Sequence, residues 1–196
     1  MTGPSLPSRA GPQSAGVARE NAGRRRIPMV SAVVYVGLGS NLADPHAQLE
    51  RAICELAELP ETELEARSCL YESEPIGPQD QPDYVNAVVR LRSGLSPEAL
   101  LDRLQAIEQG HGRQRTRHWG ARTLDLDILL YGDQEIASPR LQVPHPGIGE
   151  RNFVLFPLAE IDSQLDIPGL GRVEALLRVC PKGRLQRLDT AARSAV

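Results

Sequence analysis

Residues 84–92 alternate without a break. Val85, Ala87, Val89 and Leu91 fall on one face, and Tyr84, Asn86, Val88, Arg90 and Arg92 on the other, the period-2 pattern of a strand with one face on a core. This segment demands a sheet covered on one side. On the other side it presents an aromatic ring and an amide.

The neighbouring segments supply the cover. Residues 32–39 are a short apolar, β-branched run, read as a buried strand. Asp44 then caps a helix with Pro45 at its first position, with Leu49, Ile53 and Leu56 on one side and an end before Pro60. Residues 64–72 read as a second strand, and Pro75, Gly77, Pro78 and Pro82 mark a stiff loop. A second helix starts at Ser96-Pro97, places Leu100, Leu104 and Ile107 on one side, and has Gly110 as its expected C′ residue. A fourth strand spans 124–131, before a turn at Gly132-Asp133. The order β-α-β-β-α-β predicts an α+β fold, a ferredoxin-like sandwich. Additional C-terminal helices are expected at about 150–160 and 172–179, around a turn at Pro168-Gly169. Two helices on one face leave the other face for a site or further cover.

At 196 residues the chain is about one domain long. Residues 1–30 hold five Arg and one Glu, and residues 181–196 hold one Lys, three Arg and one Asp. They read as a disordered N-terminal extension and a basic flexible tail around a domain at 31–180. Of the formal charge of −3, the ends carry +4 and +3, so the body carries −10. An acidic body argues against a general nucleic-acid or anionic-membrane surface. The run Arg24-Arg25-Arg26 before residues 29–36 resembles the start of a signal peptide, but no A-x-A site follows it. It is read as a leader in front of the first strand, and Met29 offers an alternative start. No apolar run reaches the ~20 residues of a membrane helix. Cys54, Cys69 and Cys180 are odd in number and far apart, which fits a reducing, cytoplasmic setting. The only lysine is Lys182, which excludes a Walker-A loop and disfavours Schiff-base chemistry.

Within the acidic body, Arg113, Arg115, Arg117 and Arg122 crowd into ten residues beside Gly110, Gly112 and Gly120. Immediately downstream, Asp125 and Asp127 share a strand face about 6–7 Å apart, while Leu124, Leu126, Ile128 and Leu130 take the other. Alone, either feature reads as a solvated surface. Together they have complementary halves: carboxylates for Mg²⁺ and arginines for phosphates, as in phosphoryl transfer. Tyr84, Asn86, Trp119 and Phe153 offer rings and an amide to a flat heteroaromatic ligand, and Phe153 reads equally as core. His145, held between Pro144 and Pro146, is a phosphate donor or a turn histidine. His46, His111 and His118 lack metal-ligand spacing among themselves. Gly37 and Gly39 fall short of a dinucleotide fingerprint because Leu42 stands where its third glycine would be, and Ser40 lacks the hydrolase elbow.

The run His118-Trp-Gly-Ala-Arg122-Thr-Leu-Asp125-Leu-Asp127 resembles the signature of the 6-hydroxymethyl-7,8-dihydropterin pyrophosphokinase family. Val36-Gly-Leu-Gly-Ser-Asn41, the stretch from Ser73 to Asn86 and the stretch from Arg140 to Pro146 resemble further parts of it, in order, over about 33–178. The resemblance implies transfer of a diphosphate from ATP, as co-substrate, to the hydroxymethyl oxygen of the reduced pterin, releasing AMP, in folate biosynthesis. It implies that Asp125 and Asp127 hold two Mg²⁺ ions. Arg113 and Arg122 would be catalytic, with Arg115 on the same loop. Tyr84, Phe153 and Trp119 would enclose the pterin, with Asn86, Ser73 and Ile76 at its edge. Ile128, Arg140, His145, Arg151 and Glu108 would join Arg113 and Arg115 around ATP. A monomer with small-molecule substrates and no nucleic-acid or membrane partner is expected.

The loop from Arg115 to Trp119 is a residue shorter than in better-known members, and Gln142 and Pro146 depart from residues that help seat ATP. Two rival readings use the same residues. A D-x-D nucleotide-sugar transferase would use a divalent metal, and a single-strand nucleic-acid module would use Arg and Trp, although the charge of the body opposes the second.

Overall fold

The computed structural model describes residues 30–113 and 120–188. The leader 1–29, the end of the tail 189–196, and Arg115, Arg117 and Trp119 lie outside them.

The elements follow the expected order. Strand β1 (Ala32–Ser40) leads to helix α1 (Pro45–Ala57), which is capped by the Asp44 side chain accepting from Ala47 N–H. The next strand is broken into β2 (Thr62–Arg67) and β3 (Leu70–Ser73). After β4 (Tyr84–Ser93) comes α2 (Pro97–Gly110), capped by Ser96. Then come β5 (Asp125–Tyr131), a small hairpin β6 (Ile136–Ala137) and β7 (Gln142–Val143), and α3 (Asn152–Ile161). A second small hairpin, β8 (Asp166–Ile167) and β9 (Gly171–Arg172), precedes α4 (Val173–Val179) and β10 (Gln186–Leu188).

The main sheet runs β10-β3-β4-β1-β5, with β2 also on β4, and every pairing is antiparallel. This is the strand order of a split βαβ pair with β10 added at the edge. One core lies between the sheet and the first two helices. There Val34, Val36 and Leu38 of β1 and Val85, Val89 and Leu91 of β4 meet Leu49, Ile53 and Leu56 of α1 and Leu100 and Leu104 of α2. A second core lies on the opposite face, where Tyr35, Val88, Leu129 and Leu130 meet Val154 and Leu158 of α3 and Val173 of α4. The far side of the sheet is therefore partly covered, and beyond this core the β3, β4, β1 and β5 residues Ser73, Asn86, Gly39 and Asp125 line a cavity.

Four expectations are corrected. The strand expected at 64–72 is interrupted because Ser68 donates its N–H to Val88 O (2.9 Å) and accepts from Val88 N–H on its side-chain oxygen (3.0 Å). A hydroxyl there replaces a backbone carbonyl in the ladder, and the chain bulges. Leu130 does not share the face of Leu124, Leu126 and Ile128: β5 slips register between Val36↔Ile128 and Tyr35↔Leu130. Leu129 is the extra residue, and it turns Leu130 onto the other face. Helix α2 runs through Gly110, and Gly112, at φ 71°, is the C′ residue. Gly112 N–H donates to Gln109 O (2.9 Å) and Arg113 N–H to Glu108 O (3.1 Å), a Schellman ending. Lastly, the tail drawn from 181 is structured in part, since Gln186–Leu188 pairs with Leu70–Glu72.

Candidate active site

The register of the sheet builds the site floor. Asn86 on β4 pairs with Gly39 on β1, and Gly39 pairs with Asp125 on β5. One row along, Gly37 lies between Val88 and Asp127. Directly paired residues share a face, so Asn86 and Asp125 stand about 10 Å apart across two strand spacings, with no side chain between them. A Cβ on Gly39 would lie 3.4 Å from Asn86 Oδ1, and one on Gly37 would lie 3.3 Å from Leu129 Cδ2. The glycines thus keep a flat trough open at the centre of the sheet.

Over this floor lies a cavity of about 340 Å³. Ser73, Glu74, Ile76, Tyr84 and Asn86 line one end, and Arg122, Asp125, Asp127, His145 and Arg151 line the other, with Phe153 at the α3 wall. At the first end, Asn86 donates to Ser73 Oγ (2.9 Å), and among the described residues nothing donates to the amide oxygen of the buried Asn86, which can serve as an acceptor. Tyr84 OH donates to Gly120 O (3.1 Å) and so ties the end of the Arg-rich loop to β4. Burial raises the Tyr84 phenol above its ordinary range, keeping it a neutral donor.

The second end is strongly charged. Asp125 accepts from Arg113 Nη2 at 2.7 Å on one oxygen and pairs with Arg122 on the other. Arg113 also pairs with the buried Glu108 at the end of α2, and Glu108 accepts from Leu126 N–H (2.8 Å). Burial raises Glu108, and the Leu126 amide and Arg113 pull it back down. Among the described residues, Asp127 has no such arginine on its oxygens. Desolvation first, then repulsion from Asp125 and Glu108, push it above the usual carboxylate range, while its side chain stays 44% exposed to the cleft.

His145 is fixed by donation of its backbone N–H to Leu129 O (2.9 Å). Its Nδ1 accepts from Gly147 N–H (3.1 Å), so the proton of the neutral ring is on Nε2, 3.7 Å from Asp127 Oδ2. Burial, and then the Arg151 charge, push its pKa down to about 4, so it is a neutral donor. Arg151 lies across Gly147, where a Cβ would come within 2.3 Å of Arg151 Nε, and its guanidinium stands 6.0 Å from the Phe153 ring centroid.

Among the described residues no cluster of three or more His, Cys, Asp or Glu side chains is arranged to hold a metal. Asp125 and Asp127 offer two hard carboxylates on one face, which suits an ion bound by one or two carboxylates plus water and substrate phosphates. The mutual repulsion at Asp127 is the condition a divalent cation relieves.

A model of the family described as 7,8-dihydro-6-hydroxymethylpterin-pyrophosphokinase (HPPK) matches residues 35–163. The 2-amino-4-hydroxy-6-hydroxymethyldihydropteridine pyrophosphokinase of Pseudomonas aeruginosa is 51% identical over 158 residues, covering 81% of this chain and 98% of its own length. The enzyme of the same name from Haemophilus influenzae is 50% identical over 155 residues, covering 79% of this chain and 97% of its own length. The chain belongs to the HPPK family. It is therefore an enzyme of the diphosphotransferase class, and the sugar-transferase and nucleic-acid readings are set aside. Among solved structures, wild-type Plasmodium falciparum HPPK-DHPS superposes with a TM-score of 0.58 at 12% identity, covering 76% of this chain. That likeness shows the fold. This chain spans 44% of the length of that longer protein.

Of the residues that the HPPK resemblance assigns, the cleft gathers Ser73, Ile76, Tyr84, Asn86, Phe153, Arg122, Asp125, Asp127, His145 and Arg151. Arg115 and Trp119 lie outside the described residues. Three others are not where an ATP-facing side chain would be. Ile128 is buried in the helix-side core because its place in β5 points away from the two aspartates. Arg140 is held outside the cleft by Asp102 at 2.5 Å. Glu108 is buried behind Asp125 and bonded to Leu126 N–H and Arg113.

Two roles are not read from the local pattern. Gly37 and Gly39 fall short of a nucleotide fingerprint and enter only the family resemblance, although a strand interior with two small residues signals close approach of a ligand. Asn41, 2% exposed, accepts from Arg122 N–H and donates to Gln81 and Pro82 O, joining three segments around the cleft. Its partners are too distant in sequence to signal this.

Among the described residues, no helix is long and apolar enough to cross a membrane.

Proposed function

We propose that this chain transfers the β,γ-diphosphate of ATP to the hydroxymethyl group of 6-hydroxymethyl-7,8-dihydropterin, releasing AMP, as a step of folate biosynthesis. The observation that carries the reading is the row Asn86–Gly39–Asp125: an amide for a heterocycle edge and a carboxylate for a metal–phosphate group, on one open floor. The names of relatives at about half identity support the substrate.

In this reading Tyr84 and Phe153 sandwich the pterin ring, and Asn86, Ser73 and the backbone near Ile76 hydrogen-bond its edge. Asp125 and Asp127 hold Mg²⁺, two ions in the full complex, which neutralises phosphate oxygens when bound. Arg122 and Arg113 leave Asp125 and turn to the phosphates, with Arg115 on the same loop and Trp119 closing over the pterin. Arg151 and the His145 Nε2–H face the nucleotide. The hydroxymethyl oxygen attacks the β-phosphorus, the bond to the α,β-bridging oxygen breaks, and AMP departs with that oxygen. Among the described residues no strong base faces the alcohol, whose proton is lost to water, so positioning and charge stabilisation carry the rate. The protein acts as a cytoplasmic monomer on small molecules. The three free cysteines fit that compartment.

Mass spectrometry of the pterin product tests the reading. A product heavier by two phosphoryl groups is expected, and one heavier by a single group would contradict it.

A further inference from the structure

We propose that Glu108 is a positioning residue: it holds the Arg113 guanidinium against the catalytic strand and fixes that strand between its two aspartates. This rests on the reading above and adds a residue that need not touch substrate.

The geometry is specific. Glu108 is 4% exposed, and its Oε1 accepts from Leu126 N–H at 2.8 Å. Leu126 is the residue between Asp125 and Asp127, and among the described residues β5 has only β1 as a sheet neighbour there. The carboxylate thus occupies an acceptor position on the free edge of β5. The same Oε1 pairs with Arg113, whose other terminal nitrogen reaches Asp125 at 2.7 Å. Arg113 is tied to the same residue again through its backbone, since its N–H donates to Glu108 O. The Gly112 turn makes this double attachment possible.

A side chain gripped at both ends loses little further freedom when it meets a phosphate. When a nucleotide draws Arg113 away from Asp125, Glu108 keeps hold of one nitrogen, and the arginine pivots about a fixed point. A lone arginine at the start of a glycine-rich loop would have to be ordered at each turnover.

Glu108→Gln tests this, because the amide oxygen still accepts from Leu126 N–H while the charge that holds Arg113 is gone. Three readouts are combined. Melting temperature reports the fold and is expected to change little. Steady-state kinetics of Glu108→Gln, Arg113→Ala and the double variant report coupling. We expect kcat to fall about tenfold in the single variant, the scale of lost outer-shell partners, with the KM for pterin unchanged. In the Arg113→Ala background the same change should cost less than twofold in kcat. NMR of the arginine side-chain N–H groups, with Arg113 assigned by its loss in Arg113→Lys, reports the guanidinium without catalysis. Its signals should be sharp in the parent and broadened in Glu108→Gln. Equal kcat losses in both backgrounds, or an Arg113 signal unaffected by Glu108→Gln, would overturn the proposal. If no AMP forms in the parent enzyme, the reaction assignment fails, and the NMR comparison still decides the role of Glu108.

Discussion

Asn41 and Arg122 hold each other by two hydrogen bonds, Asn41 N–H to Arg122 O at 3.1 Å and Arg122 N–H to Asn41 Oδ1 at 2.8 Å. The Asn41 amide nitrogen also donates to Gln81 Oε1 (3.2 Å) and Pro82 O (3.0 Å). One buried side chain therefore fixes where the Arg-rich loop rejoins the sheet and where the proline-rich loop ends.

Asn41→Ala keeps the backbone bond to Arg122 O but should strand Arg122 N–H and Pro82 O. We expect a loss of about 2 kcal/mol, the usual cost of unsatisfied buried partners, and a melting temperature lower by roughly 4–8 °C. Thermal denaturation followed by circular dichroism measures it. A shift under 1 °C would mean that the loops are held by other contacts.

Arg122 lies in the cleft with its guanidinium on Asp125. If it turns to the transferring phosphates, Arg122→Ala should lower kcat on the order of 10³-fold, as loss of an arginine acting on phosphoryl charge does. Arg122→Lys should recover only part, because a single ammonium cannot replace a two-pronged contact. Single-turnover rates check this. Full recovery in the lysine variant would show that charge alone suffices.

Tyr84 has two separable parts. Its ring faces the cleft, and its hydroxyl donates to Gly120 O. Tyr84→Phe should keep pterin affinity and loosen the loop, whereas Tyr84→Ala and Phe153→Ala should each weaken pterin binding about tenfold through lost stacking. Fluorescence titration with the pterin measures the effect. Loss of affinity in Tyr84→Phe would assign binding to the hydroxyl.

His111, at the end of α2, is a stability element away from the cleft. Its Nδ1 meets Gln48 Oε1 at 2.6 Å and its Nε2 accepts from Arg51 Nε at 3.3 Å, with Glu55 nearby, so the ring is neutral and protonated on Nδ1. Burial first, then Arg51, lower its pKa below 6.5. The unfolded chain then binds more protons than the folded one below that value. The stability is complete above about pH 6.5 and is lost as pH falls from there toward the folded pKa. His111→Asn, which keeps a donor toward Gln48, should flatten urea-denaturation stability between pH 7 and 5.5. An unchanged slope would contradict this.

Much of this was legible in the residues. The alternation of 84–92 gave the central strand and put Tyr84 and Asn86 on the cleft face. The Asp125/Asp127 spacing put two carboxylates together, as observed. What escaped depends on pairing between distant segments. The bulge that turns Leu130 is a mismatch between β1 and β5, and the break at Ser68 comes from its bonds to Val88. The burial of Glu108 behind Asp125 follows from how α2 packs beside β5, which no local pattern encodes.

The nucleotide product decides whether this protein is a pterin diphosphotransferase. ATP, Mg²⁺ and 6-hydroxymethyl-7,8-dihydropterin are incubated with the protein, and AMP and ADP are separated chromatographically, with Asp125→Ala/Asp127→Ala as the blank. AMP is expected, formed only when the pterin is present and abolished in the double variant. ADP as the product, or AMP that forms without pterin, would contradict it.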